Sequence, residues 1–141
     1  MRVLSYDPEL CITCRTCEDT CSQTFFREVT AEKSKIRIHD GGDDLPSASF
    51  CNQCGECIDI CPTQALSRGR RGVVRVSREL CVGCFACVGF CPSQVMFWHV
   101  DEPVPFKCIS CGVCASECPE GALEVVEVEE APAPVEPYKS V

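Results

Sequence analysis

Alternation of apolar and polar side chains is confined to short stretches of this chain, which sets the size of every element it predicts. Residues 35–39 (KIRIH) alternate and read as a strand. Residues 73–76 (VVRV), 97–100 (FWHV) and 124–128 (EVVEV) read the same way, and Val3-Leu4 reads as a strand end. Helical signals are as brief. Residues 22–32 predict a short helix. Residues 62–66 (PTQAL) and 92–96 (PSQVM) each predict one helical turn, with Pro at the first position, where its missing N–H costs nothing. Residues 40–44 (DGGDD) and 67–72 (SRGRRG) are turn material, and 46–50 leads into the cysteine-rich stretch that begins at Cys51. No apolar run approaches the length of a membrane-spanning helix. The pattern predicts an α+β chain of short strands and short helices.

These elements frame a repeat. All sixteen cysteines fall into four runs of one spacing, C-x2-C-x2-C-x3-C. The runs are Cys11, Cys14, Cys17 and Cys21; Cys51, Cys54, Cys57 and Cys61; Cys81, Cys84, Cys87 and Cys91; and Cys108, Cys111, Cys114 and Cys118. Pro62, Pro92 and Pro119 follow three of the last cysteines and turn the chain away with a fixed φ. Ser22 stands there in the first run, so the chain after Cys21 is expected to continue as helix. Arg15 stands where Gly55, Phe85 and Gly112 follow the second cysteine of the other runs.

Sixteen cysteines in 141 residues call for disulfides or metal. A disulfide framework suits a short secreted chain, but residues 1–8 lack the apolar segment of a signal peptide, and frameworks are not laid out as four copies of one spacing. Zinc takes four ligands, which C-x2-C pairs can supply, yet it has no use for a third and fourth cysteine at fixed spacing before a Pro. The run is the ligand spacing of paired [4Fe–4S] clusters, in which the fourth cysteine ligates the cluster of the other run. Every cysteine is then used, and the count amounts to four [4Fe–4S] clusters. A chain this small with so many ligands has little apolar core of its own; the clusters serve as core, and folding is coupled to their insertion.

The two central runs are separated by nineteen residues. The rule assigns Cys51, Cys54, Cys57 and Cys91 to one cluster, and Cys81, Cys84, Cys87 and Cys61 to the second. The gap before this pair is twenty-nine residues and the gap after it sixteen. These spacings favour outer runs that pair with each other: Cys11, Cys14 and Cys17 with Cys118, and Cys108, Cys111 and Cys114 with Cys21. The rival is sequential, first run with second and third with fourth. The nested arrangement makes residues 1–128 one four-cluster unit, with a central two-cluster module at 51–100 inside an outer one built from 1–50 and 101–128. Residues 129–141 are a Pro-rich tail, read as extended or as an arm that orders on a partner.

The net charge of −8 argues against nucleic acid and an anionic membrane surface, and suits a partner with a basic docking face. Arg68, Arg70, Arg71, Arg75 and Arg78 give the 67–78 hairpin a basic face, either a solubilising tip or a docking point for an acidic surface. Arg15 either lends positive charge to a cluster or is solvated. His39 reads as a surface or turn residue, His99 as structural, and Phe97 and Trp98 as core packing beside a cluster. No spare Cys, paired His or phosphate-binding Gly loop forms a catalytic constellation.

On these motifs the chain resembles the four-cluster ferredoxin-like electron-transfer subunits of anaerobic oxidoreductase complexes, which accompany molybdenum or tungsten enzymes, hydrogenases and carbon monoxide dehydrogenases. The resemblance covers roughly residues 1–128 and rests on the four runs, the Pro-less ending Cys21-Ser22 and the long gap after it. In that family the outer runs pair and the inner runs pair. The insertion or non-Cys ligand that many relatives carry is absent here, so the resemblance implies four [4Fe–4S] clusters. The chain is most similar to the polyferredoxin subunit of tungsten aldehyde oxidoreductase complexes. The resemblance implies a cytoplasmic electron-transfer subunit with no catalytic site of its own. Its implied partners are a catalytic oxidoreductase subunit, of the tungsten or molybdenum aldehyde oxidoreductase kind, and a flavin- or nicotinamide-linked subunit. Two other readings stay open: a free diffusible polyferredoxin, and a self-associating electron conductor.

Overall fold

The computed structural model describes residues 1–130, 132 and 133. Along the chain come β1 (Arg2–Tyr6), α1 (Thr16–Phe26), β2 (Ile36–His39), β3 (Ser47–Phe50), α2 (Glu56–Ile60), β4 (Leu66–Arg68), β5 (Val74–Val76), α3 (Ala86–Phe90), α4 (Val113–Glu117) and β6 (Leu123–Glu127). The strands form two-stranded antiparallel ladders, β1 with β6, β2 with β3 and β4 with β5. The α+β class of short elements therefore holds. Among the described residues no helix is long and apolar enough to cross a membrane.

The x3 spacing at the end of each run is helical, which the spacing alone did not reveal. In α2, α3 and α4 the third cysteine lies within a five-residue helix, and the fourth is its C-cap. Cys61, Cys91 and Cys118 all leave the helix with ψ of 118 to 119°. A residue before Pro is pushed out of the α region, so Pro62, Pro92 and Pro119 end these helices. Ser22 removes that restriction, and α1 runs on for eleven residues to Phe26. It stops at Arg27, which turns left-handed and bonds its N–H to the Gln23 carbonyl. The helix expected at 22–32 thus begins earlier and ends sooner.

Other expectations shift for equally local reasons. Residues 62–66 and 92–96 are not helical turns. The chain turns so that the Gln64 N–H meets the Cys61 carbonyl at 3.4 Å and the Gln94 N–H meets that of Cys91 at 3.1 Å. Gln64 and Gln94 are left-handed, and β4 starts at Leu66. Ser67 and Arg68 belong to β4, paired with Arg75 and Val74, so the turn is shorter than 67–72. Residues 47–50 are a strand, β3, registered Ile36↔Phe50 to His39↔Ser47 against β2. Residues 97–100 reduce to a single bridge, Phe97↔Phe106. Trp98 is 56% exposed and not part of the core.

Cysteines make up much of the buried interior. One apolar cluster joins Leu4, Ile36, Ile38, Val95 and Leu123 to Cys17, Cys21, Cys51, Cys108 and Cys114. A second joins Leu66, Val74 and Met96 to Cys57 and Cys87. Cys91 packs against both. The β1–β6 ladder brings the two ends of the fold together, α1 packs on α4, and α2 on α3. The tail reading of 129–141 falls mostly outside the described residues. Within them, the Ala133 carbonyl accepts a hydrogen bond from Asn52 Nδ2 at 2.9 Å.

Candidate metal centres

Each run repeats one backbone device. The second spacer residue is left-handed in all four: Thr13, Gln53, Gly83 and Ser110 have φ of 56, 66, 72 and 55°. The residue after the second cysteine is left-handed too: Arg15, Gly55, Phe85 and Gly112, at 63, 85, 58 and 84°. Such a loop folds its own N–H groups back onto sulfur. The backbone N–H of Thr13, Gln53 and Ser110 meets Sγ of Cys11, Cys51 and Cys108 at 3.3 to 3.4 Å. After the Pro turns, the N–H of Ala65 and Val95 meets Sγ of Cys61 and Cys91 at 3.3 and 3.4 Å. The first run has no Pro turn, and Cys21 Sγ takes its N–H from Lys35, at 3.3 Å, just ahead of β2. The long insertion after Cys21 delivers that donor.

The loops line four cavities that open in part to solvent, each with about 320 to 360 Å³ of space between the walls and the surrounding solvent. Cys51, Cys54, Cys57 and Cys91 border one, and Cys61, Cys81, Cys84 and Cys87 a second. Cys21, Cys108, Cys111 and Cys114 border a third, and Cys11, Cys14, Cys17 and Cys118 a fourth. All sixteen cysteines singled out from the sequence stand on these walls, in the nested combinations. Among the described residues no three Cys, His, Asp or Glu side chains gather tightly enough for a single metal ion. The sulfurs stand instead around a volume, an arrangement suited to a multi-atom cluster. The third cysteine of each run is buried, while Cys14, Cys84 and Cys111 reach the surface.

Burial pushes the thiols of Cys17, Cys57, Cys108 and Cys114 up to about 12. Cluster iron held by these cysteines would supply positive charge that favours their thiolate form. Hydrogen bonding by Thr16 holds the surface thiol of Cys14 lower than usual.

The remaining candidates divide. Arg15 lines the Cys11 cavity, but its Nη1 pairs with Glu18 Oε2 at 3.1 Å, so its charge is neutralised. His39 Nε2 contacts Ser49 Oγ at 2.7 Å across the β2–β3 ladder. His99 contacts Glu32 Oε2 at 3.0 Å, tying the segment after Cys91 to the insertion. Phe97 packs beneath Arg37, whose guanidinium lies 4.2 Å from the ring centroid. The basic hairpin face splits. Arg68 turns inward, with Nη1 on the Gln53 and Gly72 carbonyls at 2.9 and 2.7 Å and Nη2 on the Cys54 carbonyl at 3.2 Å. Arg70, Arg71, Arg75 and Arg78 remain exposed.

Two polar residues that sequence reasoning passed over lie fully inside. Gln53 is 0% and Lys107 2% exposed. Gln53 Nε2 donates to the Cys108 carbonyl and Ser110 Oγ at 2.8 and 3.2 Å, and its Oε1 accepts from the Val74 N–H and Lys107 Nζ at 3.0 and 2.8 Å. These bonds join the second run to the fourth. A spacer Gln and a Lys before a cysteine carry no signal of this in sequence.

The cysteine geometry agrees with what the chain is similar to. Sequence models described as a 4Fe-4S dicluster domain match residues 3–62 and 50–95, and one described as a 4Fe-4S binding domain matches residues 103–124. The electron transport protein HydN of Escherichia coli K12 is 32% identical over 133 residues, covering 89% of this chain and 60% of HydN. The polyferredoxin-like subunit of the aliphatic sulfonate oxidoreductase of Pyrococcus furiosus is 32% identical over 115 residues, covering 79% and 51%. The thiosulfate reductase electron transfer subunit PhsB of Salmonella typhi is 27% identical over 150 residues, covering 92% and 77%. The chain thus spans about three-fifths of the length of its Escherichia coli relatives. Among solved structures, a chain of the active site complex BamBC of benzoyl coenzyme A reductase shares the fold, with a TM-score of 0.51 at 23% identity, covering 92% of this chain and 82% of that one. Cysteine count, spacing and family matches fit four [4Fe–4S] clusters, and the chain carries ferredoxin-like 4Fe-4S domains similar to those of electron-transfer subunits of oxidoreductases.

Proposed function

We propose that this chain is the relay subunit of an oxidoreductase complex, with no catalytic site of its own, and that its four cavities hold the clusters with the nested ligand sets. The observation that carries this reading is the grouping of sixteen cysteines, from runs far apart in sequence, around four neighbouring cavities. Bound there, the clusters supply one-electron exchange; the chain orients them, insulates them and tunes them. Cys51 belongs to the apolar cluster that holds Cys108, and Gln53 bonds the Cys108 carbonyl. The row then runs from the Cys81 cavity through those of Cys51 and Cys108 to that of Cys11. The inner module is 51–100 and the outer 1–50 with 101–128.

The ends of this row support a docking role. Cys84 and Cys14, one at each end, are exposed. Around the Cys81 end, Leu80, Val82, Trp98 and Val100 leave apolar surface open, and the Trp98 ring lies tilted against Phe85, which lines that cavity, with centroids 6.5 Å apart. Exposed apolar residues grouped in this way mark an interaction surface. The proposed occupant is a catalytic oxidoreductase subunit, by analogy with the complexes in which named relatives serve. A tungsten or molybdenum aldehyde oxidoreductase partner, a flavin- or nicotinamide-linked acceptor and a cytoplasmic site complete the proposal.

Anaerobic purification from the native host at moderate salt tests this. The proposal predicts co-elution with a larger oxidoreductase whose substrate bleaches the cluster absorbance of this chain. A chain that always elutes alone contradicts it and favours the diffusible carrier.

A further inference from the structure

Lys107 is the one buried cation, among the described residues, without a carboxylate partner. It is 2% exposed, and among the described residues it forms no ion pair with a carboxylate. A buried ammonium without a counter-charge is strongly disfavoured. Its three protons are all used, on Gln53 Oε1 at 2.8 Å, the Val74 carbonyl at 2.6 Å and the Cys108 carbonyl at 2.9 Å. These neutral acceptors fix the head in place but leave its charge uncompensated. The negative charge available to it is that of the cysteine sets. Lys107 lines the cavity of Cys51, Cys54, Cys57 and Cys91, and it holds the carbonyl of Cys108, the first cysteine of the next cavity.

Lys35 extends the pattern. It lines the Cys108 cavity, half-buried, with Nζ 3.5 Å from the Phe25 ring centroid and no carboxylate partner among the described residues. The two end cavities differ. Arg15, on the wall of the Cys11 cavity, is cancelled by Glu18, and Glu120 lines the same cavity. Among the described residues no Lys or Arg lines the Cys81 cavity. Each interior cavity therefore has one uncompensated lysine, and each end cavity has none.

We propose that Lys107, locked by Gln53, together with Lys35, sets the redox profile of the row by raising the reduction potentials of the two interior clusters above those of the two end clusters. This rests on the nested ligand sets proposed above. Thiolate-ligated [4Fe–4S] clusters are anionic, and reduction adds one electron and one negative charge with no bond made or broken. A fixed cation favours that added charge. Electrons entering from either end settle in the middle of the row, which acts as a store between two exits.

The test is an anaerobic redox titration of the holoprotein with dithionite as reductant, followed by electron paramagnetic resonance. Wild type, Lys107→Met, Lys107→Arg and Lys35→Met are compared, with iron per chain read by native mass spectrometry on the same samples. In wild type the first two electrons are expected to enter the interior clusters. Lys107→Met should weaken their reduction at least tenfold, a downward shift of about 59 mV for one electron, and leave the end clusters unchanged. Lys107→Arg should keep the wild-type values, and Lys35→Met should lower the Cys108 cluster alone. Unchanged potentials at full iron content, or an equal shift of all four clusters, overturn the proposal. If Lys107→Met fails to assemble, Lys35→Met decides, and an unchanged Cys108 cluster overturns it. A wild-type chain with less than one iron per cysteine would instead indict the ligand sets.

Discussion

Replacing Ser22 by Pro would restore to the first run the Cys-Pro ending of the other three, and the structure predicts damage rather than repair. Ser22 is 0% exposed in the middle of α1. A Pro there removes a helix hydrogen bond, clashes with the carbonyl one turn back and forces Cys21 out of the helical region, costing about 3 kcal/mol. Ser22 Oγ also donates to the Asp19 carbonyl and accepts the Thr30 N–H, both at 3.2 Å. Losing it leaves a part-buried N–H without its partner, a further cost of about 1–3 kcal/mol. Ser22→Ala suffers only the second loss, so comparing the two variants isolates the helix term. About 3 kcal/mol corresponds to roughly a hundredfold larger opened population. The assay is anaerobic iron release to a chelator, followed by cluster absorbance. Ser22→Pro should lose iron roughly a hundredfold faster than Ser22→Ala, beginning with the cluster that Cys21 serves. Equal rates for the two variants would refute the account of why α1 is long.

Three further outcomes are expected. Arg68→Ala should destabilise the holoprotein by about 1–3 kcal/mol, because three backbone carbonyls lose their donor, while Arg70→Ala should change stability by less than about 0.5 kcal/mol; comparing the thermal loss of cluster absorbance checks this. Trp98→Ala and Val100→Glu should weaken association with the catalytic partner at least tenfold at unchanged iron content, measured by anaerobic co-elution, whereas Leu45→Glu, exposed in the 40–46 turn region, should not. Val74→Ala, at 0% exposure beside Met96 and Cys57, should cost about 1–3 kcal/mol and speed iron release from the inner cavities before the Cys11 cavity.

The cysteine loops were legible in sequence because they are local. Each run closes its own loop with left-handed residues two and four positions after its first cysteine, and Pro after the fourth forces the exit that hands that cysteine to a neighbour. Even the departure at Ser22 could be read, since removing Pro lifts the restriction on Cys21. What escaped was long-range or lacked periodicity. β3 has four half-buried residues and no alternation, and it exists because β2 lies beside it. Arg68 reads as one of five hairpin arginines, yet it turns inward because bare carbonyls of the second run lie within its reach. Gln53 and Lys107 meet across fifty-four residues, and no local pattern marks a spacer Gln as the hub of four hydrogen bonds. Trp98 reads as core by its type, but the strand pairing of this segment is a single bridge, Phe97 with Phe106, and the indole is left outside.

The central claim, that outer runs pair with outer and inner with inner, is tested most directly by counting iron after stepwise removal of cysteines. One chain has Cys11, Cys14 and Cys17 changed to Ser; a second carries these changes and Cys118→Ser. Anaerobic native mass spectrometry reads the iron retained by each. If Cys118 serves the cavity of Cys11, Cys14 and Cys17, the two chains hold the same iron, because the fourth change removes a ligand from a cluster already lost. If the runs pair in sequence, Cys118 serves Cys81, Cys84 and Cys87, and the second chain loses iron from a further cluster, which would contradict the account.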